Sequence, residues 1–217
     1  EESGDDADAD LTAAELDLDA ATGIGAAGSL ETEATTIAAD TTDGNVDIDN
    51  ANAADTTVSS ITTGTGDILF SQTGGGDVTV EKAETTDGDI AIDATGADLT
   101  AVEVTAGGDG QNVTLTTTDS GDIYVGKIFA VGDTVAINSA GAMDKIDAFI
   151  GIQAGSLSLT AETELDINTD VDNITAEANS VTITDASGTT LNDIAAMQGN
   201  VSVQTIDGDI TVDGTVK

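Results

Sequence analysis

The residues most able to do chemistry in this chain are carboxylates, and many of them follow a glycine. Five such pairs lead into two apolar residues with one spacer between them: Gly66-Asp67, Gly76-Asp77, Gly88-Asp89, Gly121-Asp122 and Gly208-Asp209. If the first four corners stack above one another, their carboxylates form columns of like charges about 5 Å apart. Such a column recruits protons or cations. We therefore treat the four aspartates as candidate calcium ligands, with diffuse screening by sodium or calcium as the simpler alternative.

A further calcium candidate is the segment Gly107-Gly-Asp-Gly-Gln-Asn-Val-Thr-Leu115. It is similar to the nonapeptide that binds Ca²⁺ in repeat-in-toxin proteins. Asp109 supplies one carboxylate, and Asn112 stands where that motif usually has aspartate. The motif occurs once, whereas such a site needs oxygen ligands from adjacent coils. A corner turn that needs no metal is the simpler interpretation.

The composition argues against an enzyme. A polysaccharide lyase needs a catalytic base and a group that neutralises the uronate of its substrate. That group is commonly Lys, Arg or a bound cation. The chain has four scattered lysines and neither Arg nor His. Paired carboxylates could serve a glycosidase, but close pairs arise by chance among 42 acidic residues. We predict no catalytic residues.

Net charge limits the partners. Four basic residues against 42 acidic ones give 4 − 42 = −38. Such a chain repels phosphate backbones and anionic lipid surfaces, so neither nucleic-acid binding nor docking on membranes is expected. No run is long and apolar enough to span a bilayer.

Short strands must position the carboxylates. Apolar residues recur as pairs separated by one spacer, which is mostly small or polar, and this alternation is typical of a half-buried strand. The pairs are Ile68/Phe70, Val78/Val80, Ile90/Ile92, Val113/Leu115, Ile123/Val125, Val135/Ile137, Leu157/Leu159, Leu165/Ile167, Val181/Ile183, Val201/Val203 and Ile210/Val212. Glycine permits a tight corner before each strand, and aspartate can hydrogen-bond the turned backbone. Helical periodicity is nearly absent, and its best candidate covers residues 140–150.

The spacing of the pairs favours an all-β solenoid. From residue 68 to 157 the pair starts are separated by 10, 12, 23, 10, 12 and 22 residues. Two strands in each step of about 22 residues indicate one coil of a β-solenoid with 20–22 residues per coil. A β-sandwich is the alternative, but its hairpins would give less regular spacing. About ten coils would make a rod roughly 50 Å long.

A longer repeat overlies the coils. Residues 56–70 align without gaps to residues 189–203, and residues 11–18 align to 152–159. We predict an acidic lead-in over residues 1–10 and a single solenoid domain over residues 11–217, with about one and a half copies of the long repeat. The natural molecule is then expected to continue or to stack end to end.

Two large side chains occupy outward spacer positions, where small polar residues are usual. They are Leu69 and Tyr124. We expect them either to form a lateral contact between rods or to be covered by a neighbouring loop.

The rhythm of the chain resembles the repeat regions of filamentous-haemagglutinin-like large exoproteins. Residues 85–108 carry the resemblance, as do Thr22-Gly-Ile-Gly-Ala-Ala-Gly28 and Ile37-Ala-Ala-Asp-Thr-Thr-Asp-Gly-Asn-Val46, and it covers about residues 11–217. It implies a right-handed parallel β-helix on a bacterial surface, secreted through an outer-membrane partner, that acts as a stalk, adhesin or filament body. This chain is more acidic than most such regions and lacks their Asn-rich ladders and amino-terminal secretion domain.

These observations together lead us to expect a non-enzymatic extracellular protein, located at a bacterial cell surface. It would be a rigid acidic rod that forms an adhesin stalk or a protomer of a filament or sheath, self-associating head to tail or lying within a longer chain. The alternative is a carbohydrate- or surface-binding adhesin module stabilised by calcium, with a host surface or glycan as its partner.

Overall fold

The chain folds into a parallel β-solenoid of about ten turns with about 21 residues per turn. The computed structural model describes residues 9–25, 27–147 and 151–217, and within them it contains no helix. The acidic lead-in thus falls largely outside the described residues. The helix considered for residues 140–150 is wrong where it can be checked, because Met143 pairs between Ile123 and Leu165 of the flanking coils. Residues 148–150 lie outside the described part.

Eighteen strands are present in the described residues, numbered in chain order. They are β1 (Leu11–Ala20), β2 (Leu30–Thr41), β3 (Val46–Asn50), β4 (Thr56–Thr63), β5 (Ile68–Gln72), β6 (Val78–Val80), β7 (Ala83–Thr85), β8 (Ile90–Thr95), β9 (Leu99–Ala106), β10 (Val113–Thr118), β11 (Ile123–Ser139), β12 (Met143–Lys145), β13 (Ile152–Ala161), β14 (Glu164–Ala178), β15 (Ser180–Asp185), β16 (Thr189–Ala196), β17 (Val201–Thr205) and β18 (Ile210–Val216).

Most coils present three strand segments, each stacked on its counterpart in the next coil. Face A contains β3, β5, β8 and β10, with the column Val46–Ile68–Ile90–Val113–Val135. Face B contains β6, with the column Leu16–Ile37–Val58–Val80–Ala101–Val125. Face C contains β7, with the column Leu18–Ala39–Ile61–Ala83–Val104–Ile128. The spacing of apolar pairs predicted only two segments per coil, because face C follows face B after a short corner without a Gly-Asp pair.

Coil length is regular until the last third of the chain. On face A the paired residues advance from Ile68 to Leu157 in steps of 22 or 23. The next two steps, Leu157 to Ile174 and Ile174 to Leu191, are only 17 residues long. The shortening is spread over the coil, because the turn from face A to face B and the path from face C back to face A each lose residues. In these coils Thr169 and Asp185 occupy the face C column.

The core is a filled stack of aliphatic side chains. Nine of the eleven predicted pairs, from Ile68/Phe70 to Val181/Ile183, are buried. The last two pairs are not, because among the described strands β17 pairs only with β15 and β18 only with β16. Val212 is therefore 55% exposed, although its position in the coil is a core position.

A buried polar network lies at the corner between faces A and B. Asn50 is fully buried; its Oδ1 accepts hydrogen bonds from Thr32 Oγ1 and Ala34 N, both at 2.9 Å. Its Nδ2 donates to Gln72 Oε1 at 2.8 Å, to Ala34 O at 3.0 Å and to Thr56 Oγ1 at 3.0 Å. The chain thus has a short interior amide ladder, although we expected it to lack Asn-rich ladders. Satisfied buried polar groups of this kind fix the register of neighbouring coils.

Residues that the long repeat aligns in sequence do not occupy equivalent positions in the coil. The gapless alignment matches Ile61 with Ile194. Ile61 lies in the face C column, whereas Ile194 follows Leu159 and Ala176 in the column of Phe70 on face A. The long repeat therefore stays a prediction about the sequence.

No helix in the described residues is long and apolar enough to cross a membrane.

Candidate functional site

The carboxylates singled out from the sequence belong mainly to two ladders at the corners of the solenoid. Ladder 1 stands at the start of face A and runs Asn45–Asp67–Asp89–Asn112–Thr134. Each backbone N–H donates to the side-chain oxygen of the residue one coil earlier: Asp67 N to Asn45 Oδ1 at 3.0 Å, Asp89 N to Asp67 Oδ1 at 2.9 Å, Asn112 N to Asp89 Oδ1 at 2.7 Å and Thr134 N to Asn112 Oδ1 at 3.3 Å.

Ladder 2 repeats this arrangement at the start of face B. Asp98 N donates to Asp77 Oδ1 at 3.0 Å, Asp122 N to Asp98 Oδ1 at 2.8 Å, and Ala142 N to Asp122 Oδ1 at 2.7 Å. Asp98 was missed because Ala97 precedes it instead of glycine. Its position immediately before the buried Leu99 would have identified it.

The structure distributes the four aspartates over the two ladders. Asp67 and Asp89 belong to ladder 1, whereas Asp77 and Asp122 belong to ladder 2. The two ladders stand at different corners because each coil contains two Gly-Asp type turns, one before face A and one before face B.

The calcium-like segment forms a corner between β9 and β10. Gly108 and Gly110 have φ values of +93° and +86°, which favour glycine. Gly110 N donates to Asp133 Oδ1 at 2.9 Å, and Asn112 is a member of ladder 1. Asp109 is exposed on this corner and lies in neither ladder.

The ladder carboxylates have a structural role as hydrogen-bond acceptors for the backbone. One oxygen of each accepts a backbone N–H, which satisfies a donor that the turn would otherwise leave to water. No group of three or more acidic side chains that could hold a metal ion occurs among residues 9–25, 27–147 and 151–217. Ca²⁺ takes six to eight oxygen ligands, so a discrete calcium site stays a prediction. Loosely bound screening cations need only the second carboxylate oxygen of each ladder aspartate.

The density of charge along the axis is extreme. Residues 1–8 contain five acids, so the remainder carries −38 + 5 = −33. About ten turns at ~4.8 Å give an axial length of about 48 Å. That is one net charge per ~1.5 Å, comparable with one per ~1.7 Å in duplex DNA. A rod of this kind gathers a dense atmosphere of cations and repels polyanions.

Leu69 and Tyr124 do not form one patch. Leu69 is 39% exposed on face A, between Asp47 and Ala91 of the adjacent coils. Tyr124 is half-buried on face B, and its hydroxyl donates to Asp122 Oδ2 at 3.4 Å. Burial raises the pKa of Tyr124, and the charges of Asp122, Asp98 and Asp144 add to this rise. The lateral contact stays a prediction, and it would need two different rod faces.

One polar depression could hold a ligand. It lies on face B near the last coils, has a volume of about 600 Å³, and is lined by Thr163, Glu164, Asn179, Ser180, Thr182, Gln198, Gly199, Asn200 and Ser202. Its groups are hydroxyls and amides, with a single carboxylate and no aromatic ring. Sequence reasoning missed it because its residues come from three separate coils.

No family model matches the chain, and neither the curated proteins nor the solved structures contain a significant match.

Proposed function

We propose that the protein is a non-enzymatic structural element, a stiff acidic rod that serves as an extracellular stalk or as a protomer of a cell-surface filament or sheath. The observation that supports this proposal most strongly is the continuous parallel pairing of about ten coils. Every internal coil contributes backbone hydrogen bonds to both neighbours, so bending or local opening must break a row of them at once.

The outward surface fits this role. The outward positions of face B include Thr57, Thr79 and Thr100, before Tyr124 and Asp144 follow in the same row. Those of face A include Ala91, Thr114 and Ala136, which follow Leu69. Such short side chains offer little for a specific ligand to grip. The dense negative charge keeps neighbouring rods apart and soluble.

Protease resistance tests the stalk proposal. The folded protein is incubated with a broad-specificity protease, since a chain with four lysines and no arginine offers trypsin few sites. We expect cuts only at exposed corners such as residues 108–110 and 118–120, and slow cleavage elsewhere, because paired strands cannot enter a protease cleft. The same protein in urea is the control. Rapid cleavage within the strands of the folded protein would contradict the proposal.

A carbohydrate-binding module is the second candidate, and the polar depression around Asn179 and Asn200 favours it. Hydroxyl and amide groups there could hydrogen-bond a sugar. A glycan array decides between the two. Saturable binding to one glycan class that is lost in Asn200→Ala and retained in Asn138→Ala, a matched change on face A, would replace the rod proposal with recognition.

A further inference from the structure

We propose that Asn112 and Asn173 are acceptors for N-linked glycans, which would line one face of the rod. Each begins a tripeptide of the form Asn-x-Thr, namely Asn112-Val-Thr114 and Asn173-Ile-Thr175. This is the sequence at which oligosaccharides are transferred to asparagine in secreted proteins. The inference therefore rests on the proposed extracellular role. A third such tripeptide, Asn200-Val-Ser202, is set aside, because its exposure in the last coil depends on the residues that follow.

The two sites occupy equivalent positions in the coil. Asn112 immediately precedes Val113, and Asn173 immediately precedes Ile174. Val113 and Ile174 belong to one column on face A and are three coil steps apart. At ~4.8 Å per step, the two asparagines lie about 14 Å apart on one line along the rod. Both belong to interior coils, which pair with a described coil on either side.

At each site the asparagine and the threonine face solvent together. Side chains two residues apart on a strand point to the same side of the sheet. Asn112 and Thr114 are both partly exposed, and the residue between them is fully buried. Asn173 is partly exposed and Thr175 is exposed, again with a fully buried residue between them. The amide that accepts the sugar and the hydroxyl that completes the acceptor sequence are therefore presented side by side.

At Asn112 ladder 1 uses the side-chain oxygen and does not need the nitrogen. Oδ1 accepts the Thr134 N–H at 3.3 Å. Nδ2 lies 3.4 Å from both Asp89 Oδ1 and Gly110 O, beyond the usual range of about 2.7–3.2 Å for such a hydrogen bond. An aspartate, which has no side-chain nitrogen, supplies the same rung at Asp67. Replacing one Nδ2 hydrogen of Asn112 by a sugar therefore leaves the ladder intact.

The nitrogen of Asn173 is also weakly held. Its Nδ2 lies 3.4 Å from Gly155 O, which is again a long contact. The residues paired with Asn173 in the adjacent coils are Ser156 and Thr190. A sugar on this nitrogen therefore meets small, uncharged side chains at the paired positions.

Face A has room for a first sugar at Asn112. A shallow depression of about 440 Å³ opens there, and its lining includes Ala91, Asn112, Thr114, Thr134 and Ala136. The outward residues that separate the two sites are small and uncharged, and they are Thr134, Ala136, Ser156 and Ser158. Their hydroxyl groups can donate and accept hydrogen bonds with sugar hydroxyls. Glycans on the two asparagines can thus lie along this row without displacing a charged side chain.

The transfer is a substitution at the anomeric carbon of the sugar. The donor is an oligosaccharide joined through a diphosphate to a lipid. The bond from the anomeric carbon to the diphosphate oxygen breaks, a bond from that carbon to Asn112 Nδ2 forms, and Nδ2 loses one proton. The lipid diphosphate leaves with the bonding electron pair. Asn112 Oδ1 takes no part, so the modified side chain still accepts the Thr134 N–H.

Peptide mass spectrometry of the protein from the cells that make it naturally is the direct test. After cleavage with a broad-specificity protease, peptides that contain Asn112 or Asn173 should carry an added sugar mass. Peptides with Asn138 should carry none, because this exposed asparagine on the same face has alanine two residues later. Unmodified asparagine at both proposed sites would overturn the inference. The rod proposal would stand, because the protease resistance of the unmodified chain is measured separately.

Threonine variants test whether the tripeptides direct the transfer. The chain is translated behind a secretion signal into endoplasmic-reticulum microsomes, whose transferase and lipid-linked oligosaccharide are the probe. Ser202→Ala removes the third tripeptide from every sample. We expect two glycans per chain, one after Thr114→Val or Thr175→Val, and two after Thr114→Ser, which keeps the hydroxyl. A parent without glycans, or a number that the valine variants leave unchanged, would overturn the assignment.

Melting of the modified chain tests whether face A accommodates the sugars. The chain with both glycans is compared by circular dichroism with the unmodified chain that carries Thr114→Val and Thr175→Val. Because the glycans use only Nδ2 and lie over small side chains, we expect the Tm of the glycosylated chain to be equal or higher. A Tm lower by more than about 4 °C would show that the solenoid does not accept sugars at these positions and would overturn the proposal.

Discussion

Replacing Asp89 by alanine removes the acceptor for the Asn112 N–H in ladder 1, whereas replacing it by asparagine keeps an acceptor oxygen in place. Asn112 N lies 2.7 Å from Asp89 Oδ1. Asn45 and Asn112 already occupy other rungs of the same ladder. The comparison of Asp89→Ala with Asp89→Asn therefore separates hydrogen bonding from charge.

The expected magnitudes follow from two opposing terms. Loss of a carboxylate acceptor for a turn N–H costs about 1–2 kcal/mol. Removing the charge relieves repulsion from Asp67, one coil away at ~4.8 Å, by roughly 0.5 kcal/mol after screening. Asp89→Ala should then lower the free energy of unfolding by about 1 kcal/mol, and Asp89→Asn should leave it within about 0.5 kcal/mol. For a chain of this length, 1 kcal/mol is about 2–4 °C in Tm.

Thermal melting followed by circular dichroism measures the difference. Asp109→Ala is the control, because Asp109 is an exposed acid outside both ladders, and its loss should not lower Tm. The reasoning would be refuted if Asp89→Ala and Asp89→Asn had the same Tm, since the ladder would then contribute only charge. It would also be refuted if both variants were more stable than the parent by the same amount.

Three further predictions concern the interior, the single tyrosine and the cations. Asn50→Ala should lower the free energy of unfolding by about 3–5 kcal/mol, because Ala34 N and Gln72 Oε1 lose their buried partner; urea denaturation measures it, and a loss below about 1 kcal/mol would show that the network is dispensable. Tyr124, the only tyrosine in a chain without tryptophan, should titrate at 295 nm with a midpoint above 10, and Asp122→Asn should lower that midpoint. Because the folded-state pKa of Tyr124 is raised, its contribution to stability is complete below the unfolded value of about 10 and is lost as the pH rises through the folded value. Tm should rise between 10 mM and 1 M sodium chloride as repulsion is screened, and a chelator should not lower Tm at constant ionic strength, whereas a fall would reveal a discrete calcium site.

Much of the fold could be predicted because the same local pattern recurs in every coil. Pairs such as Ile90/Ile92 alternate with a small spacer, and this periodicity alone identifies the inward face. The step of about 22 residues then defines the coil as far as Leu157, beyond which two coils shorten to 17 residues. Val212 satisfies the pattern but is exposed, because burial of a coil residue depends on the next coil as well as on its own strand.

Other features depend on contacts between coils and leave a weaker local signal. Face C lacks Gly-Asp corners, so β7, whose sequence is Ala-Glu-Thr, has no apolar pair to mark it. The interior ladder of Asn50 and Gln72 is visible only when residues 22 apart are compared. Among the site residues, the Gly-Asp pattern identified Asp67 and Asp89, which lie in one ladder. It missed Asp98, because the ladder position of Asp98 is defined by strand pairing and no glycine precedes it.

The distance between the two ends of a single molecule tests the central claim most directly. Spin labels at Asp17→Cys and Gln204→Cys in one chain lie on nearly the same column, nine coil steps apart, which gives about 43 Å at ~4.8 Å per step. Pulsed electron resonance on molecules diluted with unlabelled protein should give one narrow distribution near that value, equal at 50 mM and 1 M salt. A broad distribution, or a mean that changes by more than about 5 Å with salt, would contradict a stiff rod.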